Sequence, residues 1–330
     1  REEFTFSPVN FGVVLHAVIR EVCDEIKKNG ESYYLISEEK RREMVKRSVS
    51  AITDIYQNSI LKDSSRNSFM IKRMEDLADR TIWAMGEQLK CGDFVPFVFE
   101  HKFNMEVGDG DRKQLMSGTI DRVDICENDT DVYVRIIDYK TGKKDFNIVK
   151  TYYGIDIQLM VYMEAAMKLV SKMRPGKNVL PAGVFYYNIS DPIVSATNES
   201  AEEIEDKIKG ELRLKGMVNS DKDIAEKMDN TEGTSLNIPV SRKADGGFDS
   251  RRSKVMNTEQ FNMLGRFVDV RAVDTADRIA GGDIRRSPYK DGQFSSCDRC
   301  PYGAVCGFSV DLPGCNYRKL KKFDDEVLWN

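Results

Sequence analysis

One β-favouring run, VYVRIIDYKTG, ends on an acid, and a second, GTIDRVD, carries an acid inside it. Side chains alternate between the faces of an extended strand, so Asp138 and Lys140 project to the same side. If the run bearing Asp121 pairs with this one as a hairpin, two carboxylates and an ammonium meet on one face. Carboxylates crowded in that way repel unless a divalent cation lies between them. Mg2+ held by a few such oxygens, with waters left on it, activates a water and stabilises charge on a phosphate. A neighbouring lysine adds a point-charge donor. An Asp and a Lys two apart on a half-exposed strand are also common without any function. The charged IDRVD, where a buried strand should be apolar, adds modestly to the case for phosphoester chemistry.

The elements that must position these groups come in a readable order. VVLHAVIREVCDEIKK has apolar residues at three- and four-residue spacing (Val14, Leu15, Val18, Val22, Ile26) and stops at Gly30. SEEKRREMVKRSVSAITDIYQNSI and SFMIKRMEDLADRTIWAMGEQLK continue the helical pattern. From Cys91 the texture changes: FVPFVFEHKFNM, QLMSGTIDRVDIC and VYVRIIDYKTG, separated by GDGDR and ENDTD, predict three strands in a meander. YYGIDIQLMVYMEAAMKLVSKM predicts a helix from Tyr152 to Met173, and PAGVFYYNIS a fourth strand. Residues 198–250 read as polar and irregular, with DNTEGTS and KADGGFDS as loops. NTEQFNMLGRFVDVRAVDTADRIAGG predicts a last helix on Phe261, Leu264, Val268, Ala272, Ala276 and Ile279, capped by an Asn/Thr start and a Gly-Gly end. No internal repeat is present. The expectation is an α/β fold forming a single domain over residues 1–330. It has a helical part (1–90), a sheet and helix (91–190), an irregular region and helix (191–290) and a cysteine-rich tail (291–330).

The bulk numbers narrow the function classes. The chain has 330 residues, 41% of them hydrophobic and 32% charged, with a net charge of −4. That supports a sizeable core and excludes a uniformly basic nucleic-acid coat, so DNA contact requires a local basic patch or a bound cation. No apolar run approaches the roughly 18 residues of a membrane helix, and no secretory signal is present. The chain opens on Arg1 without a Met, which predicts a fragment of something longer. No G-x-x-x-x-G-K-[ST] loop occurs, since GKN at 176–178 and TGKK at 141–144 do not fit, so ATP hydrolysis is not encoded. With only His16 and His101, no Ser/His/Asp or Cys/His arrangement is readable. Cys23, Cys91 and Cys126 are scattered, whereas Cys297, Cys300, Cys306 and Cys315 fall close together. An odd count with a clustered tail suggests cytoplasmic thiols plus a metal site rather than disulfides. Cys297-x2-Cys300-x5-Cys306 is a soft-metal spacing for zinc or an iron–sulfur cluster. It offers three ligands where four are usual, and Cys315 is not an obvious fourth.

Four short motifs follow one another over about 150 residues: Gly12–His16 (G-x-x-x-H), Gly118–Asp121 (GxxD), Asp138–Gly142 (DYKTG) and Gln158–Tyr162 (QxxxY). In that order they resemble the RecB-like branch of the PD-(D/E)XK nuclease superfamily. The resemblance implies a restriction-endonuclease-like core, a mixed sheet flanked by helices. It implies Mg2+ held by His16, Asp121 and Asp138 with the Tyr139 carbonyl, and catalysis by Asp121, Asp138, Lys140, Gln158 and Tyr162. By itself His16 would read as a satisfied core histidine. Gln158 and Tyr162 share a helical face, and the resemblance gives them the task of orienting the lysine and the DNA backbone. Glu100 is a weaker extra carboxylate and His101 a surface or structural residue. Lys143 and Lys144 either steer the strand or form a solvated loop.

The phrase GDIRRSPYKDGQFSSCDRCPYGAVCGF is similar to the tail of the AddB family, one of the two components of ATP-dependent helicase–nucleases that process double-strand breaks. That likeness implies that Cys297, Cys300 and Cys306, with one cysteine lying before Arg1, hold a [4Fe–4S] cluster. The cluster is therefore expected to be incomplete or lost in this fragment. The implied activity is a cytoplasmic, Mg2+-dependent deoxyribonuclease, exonuclease or endonuclease, cutting mainly single-stranded DNA beside an AddA-like partner in recombinational repair, with no membrane involved. The alternatives are a non-catalytic DNA-binding scaffold of the same complex, a redox or regulatory protein built on the cysteine tail, and a free-standing RecB-like exonuclease.

Overall fold

The structure, a computed structural model, describes residues 7–55, 65–108, 113–195 and 197–321. Helix α1 (Pro8–Lys28) begins where the Ser7 hydroxyl accepts from the Asn10 N–H at 3.1 Å. Lys27 and Lys28 sit in its last turn, where cations suit the carbonyl end of the helix. The expected stripe of Val14, Leu15, Val18, Val22 and Ile26 is fully buried. It forms one core with α2 (Glu38–Ile55) and α3 (Ser65–Lys90). The part of the helical pattern predicted for 56–60 and most of the GDGDR turn (109–112) lie outside the described residues.

The sheet follows in β1 (Val95–Val107), β2 (Gln114–Glu127) and β3 (Asp131–Lys140), neighbours in that order, with β2 and β3 antiparallel. α4 (Ile148–Tyr152) and α5 (Gln158–Met173) then cross to β4 (Asn178–Asn188), which pairs parallel to β3. A parallel pair needs such a crossover. Next come α6 (Ala201–Glu211), β5 (Lys215–Asn219), antiparallel to β4, then α7 (Lys222–Met228) and β6 (Val255–Met256), parallel to β5. The result is an α/β fold with a six-stranded mixed sheet flanked by helices. β3 is buried on both faces between its half-buried end residues, Asp131 and Lys140, as a near-continuous apolar run requires. Its odd-numbered Tyr133, Ile137 and Tyr139 join the core of α1–α3, while its even-numbered residues face the side covered by α5.

Two predicted boundaries move, and one region differs in kind. The helix expected from Tyr152 starts at Gln158, because Gly154 adopts a left-handed conformation (φ 73°) and ends the short α4. The fourth strand starts at Asn178 rather than Pro181. Residues 198–250 are not irregular throughout: they hold α6, β5 and α7. α6 escapes a periodicity search because it buries no residue, although Ser200 and Glu203 form a reciprocal capping box. Helix α8 (Thr258–Ala280) has its predicted cap, with Asn257 and Gln260 exchanging hydrogen bonds. Phe261 to Ala276 of its stripe are buried, but Ile279 is exposed.

The described chain groups into two compact units. The first takes in the chain up to Asn104, Ser117–Phe146 and Gln158–Leu264. The second takes in Met105–Met116, Asn147–Ile157 and the chain from Gly265 onward. In the second unit, β7 (Tyr289–Asp291), β8 (Phe294–Ser295) and β9 (Arg318–Lys319) form a small sheet in the order β8-β7-β9, and α9 (Gly303–Cys306) is a single turn between β8 and β9. Among the described residues no helix is long and apolar enough to cross a membrane.

Candidate active site

The β2–β3 register pairs Arg122 with Ile137, and one step further along it brings Asp121 level with Asp138. The hairpin inferred from the sequence therefore forms, and Asp121 Oδ2 accepts from the Tyr139 N–H at 2.6 Å. From the first helix, His16 Nδ1 lies 3.5 Å from Asp121 Oδ1 and 3.4 Å from Glu100 Oε1. The His16 ring meets the Tyr139 ring edge-on at 5.8 Å. Ligand atoms of His16, Glu100 and Asp121 all lie within 4.8 Å of one another. Among the described residues no other trio of His, Cys, Asp or Glu gathers so closely.

Glu100 is the residue that sequence reasoning undervalued. It sits in β1 with φ 47°, the only residue other than glycine with positive φ among the described ones. A left-handed residue inside a strand breaks the regular alternation and re-aims its side chain, here toward His16. Nothing in VFEHKF signals that conformation, so spacing could not place Glu100.

Asp138 and Lys140 project together, as their spacing requires: Lys140 Nζ lies 2.5 Å from Asp138 Oδ2. Lys140 also donates to Gln158 Oε1 at 3.2 Å. The Gln158 amide donates to Asp138 Oδ1 at 3.0 Å and to the Tyr162 hydroxyl at 2.9 Å. The i, i+4 pair on α5 thus closes a chain of contacts from lysine to tyrosine. Gly118 makes room for it, since a Cβ there would stand 2.8 Å from the Phe103 ring and 3.4 Å from the Tyr162 ring. Gly142, by contrast, has neither a positive φ nor a close neighbour. His101 is not part of the cluster.

The electrostatics follow from the crowding. Burial disfavours a charged His16, but hydrogen bonds to Asp121 and Glu100 and the charges of both acids outweigh it and hold the imidazole up to about 10. Burial, then the Asp121 charge, raises the Asp138 carboxyl to about 6 against the opposing pull of Lys140 and His16. Burial also pushes the Tyr162 phenol up. A protonated His16 would offset the charge of the two carboxylates beside it.

The opposite face of the same hairpin carries Arg122 and Asp124, two of the three charges of IDRVD that the sequence reading counted toward phosphoester chemistry. Arg122 donates to both oxygens of Asp124, at 2.7 and 2.6 Å, and Arg135 donates to Asp124 Oδ2 at 2.8 Å. All three are at most 1% exposed. Burial alone would raise the Asp124 carboxyl; the two guanidiniums outweigh it and hold it below the ordinary range. The Arg135 guanidinium also lies 4.9 Å from the centre of the Phe94 ring.

In the second unit, Cys297 and Cys300 bracket a turn closed by the Cys300 N–H on the Cys297 carbonyl, and Cys306 ends α9. All four tail cysteines are free thiols, and Cys300 is exposed.

Comparison with known proteins returns consistent relatives. The chain is 34% identical over 339 residues to the B component of the ATP-dependent helicase/deoxyribonuclease of Clostridium acetobutylicum, covering 100% of this chain and 29% of that protein. Proteins of the same name from Thermoanaerobacter sp. (strain X514) and Caldanaerobacter subterraneus subsp. tengcongensis are 32% and 34% identical over 341 residues, with the same coverage. The chain therefore spans 29% of the length of these relatives. Residues 1–307 match the PD-(D/E)XK nuclease superfamily, and the chain belongs to that superfamily.

Proposed function

We propose that this chain is a divalent-cation-dependent deoxyribonuclease domain that hydrolyses phosphodiester bonds in single-stranded DNA. In this reading it serves as the nuclease of an AddB-like component of a helicase–nuclease, with an AddA-like partner, in cytoplasmic recombinational repair of double-strand breaks. The name of its relatives, a helicase/deoxyribonuclease, supports the assembly. The observation that carries the chemistry is the meeting of His16, Glu100 and Asp121 beside the Asp138–Lys140 pair.

The donor set suits a hard cation: carboxylate oxygens and one imidazole nitrogen, with crowded acids that favour a positive charge between them. His16, Asp121 and Asp138 would hold Mg2+, with the Tyr139 carbonyl as a further oxygen and Glu100 as an added carboxylate. A cation bound there supplies a more acidic water and neutralises charge on the phosphoryl oxygens. Lys140, fixed between Asp138 and Gln158, directs an N–H to the attacking water or to a non-bridging oxygen. Gln158 holds the lysine and Asp138 in one geometry, and the Tyr162 hydroxyl, accepting from Gln158, keeps its proton for the DNA backbone.

The test is cleavage of an end-labelled single strand with Mg2+ or with chelator, by wild type, Asp138→Ala and Lys140→Ala. Loss of Mg2+-dependent cutting in both variants is expected, and the product ladder reports exonuclease or endonuclease mode and polarity. Equal activity in all three chains, or a wild type that binds but never cuts, replaces the reading with a DNA-binding scaffold.

The same proposal assigns Cys297, Cys300 and Cys306 to a [4Fe–4S] cluster. Cysteine thiolates ligate both zinc and iron–sulfur clusters, and both centres usually take four ligands. Among the described residues no group of thiolates gathers as a ligand set, and in this reading the fourth ligand lies before Arg1. Anaerobic reconstitution followed by iron, sulfide and zinc analysis tests the assignment. Iron and sulfide in the ratio of a four-iron cluster, held by a longer chain with a cysteine before Arg1 and lost from this one, support it; bound zinc, or no iron in the longer chain, overturns it.

A further inference from the structure

Both N–H groups and the carbonyl of the Gln158 side chain are engaged. The amide nitrogen donates to Asp138 Oδ1 at 3.0 Å and to the Tyr162 hydroxyl at 2.9 Å, while Oε1 accepts from Lys140 at 3.2 Å. The amide cannot turn over, because its nitrogen would then face an ammonium and its oxygen a carboxylate. Its tilt is set by the acceptor of the second N–H, the Tyr162 hydroxyl. The place of that hydroxyl therefore bears on how Lys140 is presented.

The Tyr162 ring is half-buried, and Phe103 of β1 meets it edge-on, with centroids 5.7 Å apart and planes at 79°. Phe103 is buried, yet it is not part of the core shared by α1, α2 and α3. Gly118 of β2 completes the group. A Cβ there would stand 2.8 Å from two carbons of the Phe103 ring and 3.4 Å from the Tyr162 ring. Gly118 has no positive φ, so the backbone does not call for glycine at this position; the two rings do. β1 thus touches the site twice, with Glu100 at His16 and Phe103 at Tyr162.

We propose that Phe103 is a positioning residue of this site. Its ring, admitted by the bare backbone at Gly118, fixes Tyr162 so that the hydroxyl meets Gln158. Through Gln158 it keeps Lys140 and Asp138 in one geometry. The consequence for catalysis rests on the nuclease reading; the consequence for the Gln158 hydrogen bonds rests on the contacts alone.

The experiment has two arms, both on the full chain. The first measures Mg2+-dependent cleavage of an end-labelled single strand, per folded molecule, by wild type, Phe103→Leu, Tyr162→Phe and the double variant. Phe103→Leu is expected to lower kcat about tenfold, the upper end of what an edge-to-face pair contributes, with KM changed less than about twofold. In the Tyr162→Phe background, which has the ring but no hydroxyl to place, the same change is expected to cost less than about twofold. Gly118→Ala keeps the Phe103 ring but crowds it, so it is expected to reproduce the loss of kcat even where Phe103→Leu folds poorly. A tenfold loss in both backgrounds overturns the proposal, because Phe103 then acts by packing alone. Full activity in Phe103→Leu or Gly118→Ala overturns it too. The second arm needs no cutting: it follows hydrogen exchange of the Gln158 side-chain amide by NMR, with Gln158→Glu to assign the signal. Protection is expected in wild type, and Phe103→Leu is expected to lose as much of it as Tyr162→Phe does. Protection that survives in Phe103→Leu, or is absent from wild type, overturns the proposal. A wild type that does not cut removes the nuclease reading and leaves the second arm decisive for the role of Phe103.

Discussion

The two faces of the β2–β3 hairpin carry the same kinds of charge and use them in opposite ways. On one face Asp121, Asp138 and Lys140 stand with His16 and Glu100, partly open and with more negative charge than the protein supplies cations for. On the other, Asp124 sits between Arg122 and Arg135 with every carboxylate oxygen engaged and no access to water. In the function proposed above, the open face favours a cation. The closed face is a finished ion network whose role is to hold the strands. Alternation along an extended chain lets neighbouring residues, Asp121 and Arg122, belong to one and the other.

Neutralising one acid on each face should separate the two roles, and this is the largest effect expected. Asp138→Asn should lose cleavage by about a thousandfold or more, ~4 kcal/mol of transition-state stabilisation. Its stability should be unchanged or higher at pH 7. The sign follows from the raised carboxyl: a group moved from the ordinary value up to about 6 weakens the fold as pH rises through that interval, and an amide has no such charge. A lowered melting temperature for Asp138→Asn would place this acid with the structural network.

Asp124→Asn should act the other way. It leaves two guanidiniums buried without their counter-charge, which costs about 3–5 kcal/mol. Denaturant unfolding should show the loss even where residual cutting per folded molecule survives. If Asp124→Asn is as stable as wild type, the closed face is not what holds the hairpin.

Much of this contrast is legible in the sequence, and the illegible part has physical causes. Strand alternation places Asp138 with Lys140, and helical spacing places Gln158 with Tyr162, because both are local rules. The pairing of Arg135 with Asp124 is eleven residues apart in sequence and depends on register, which no local pattern states. Glu100 depends on a left-handed backbone that its neighbours do not announce. α6 is hidden by its own solvation: no residue in it is fully buried, and only Ile208 packs against the core. In the tail the cysteine spacing is plain, yet spacing alone does not bring sulfurs into a ligand set.

A smaller effect tests whether the open face trades a proton for a cation. Without the cation His16 stays protonated up to about 10, so a divalent ion binding at neutral pH must expel that proton. Calorimetric titration at pH 7 in buffers of different ionisation enthalpy should show release of about one proton. Apparent affinity should rise as pH increases, by up to about tenfold per unit below 10. Protonation of Asp138 adds to the competition only near and below pH 6. His16→Asn should abolish the release. No release from wild type would mean that the cation does not occupy the place of the imidazolium proton.

The smallest effect concerns the backbone that aims Glu100. Glu100→Ala and Glu100→Gly both remove the carboxylate, so both should weaken cation binding to the same extent. They differ in the strand: at φ 47° alanine keeps a Cβ that crowds the adjacent carbonyl, and glycine does not. Glu100→Gly should therefore be the more stable of the two by about 1 kcal/mol, visible in paired chemical denaturation. That difference measures the strain held in β1 apart from any ligand, because the lost contacts to His16 cancel between the variants. Equal stabilities would mean that the left-handed turn of the chain relaxes once the glutamate is gone, and that the side chain, held by His16, sets the backbone. A difference of the expected size would mean the converse, with the strand imposing the conformation and the open face receiving its third carboxylate from it.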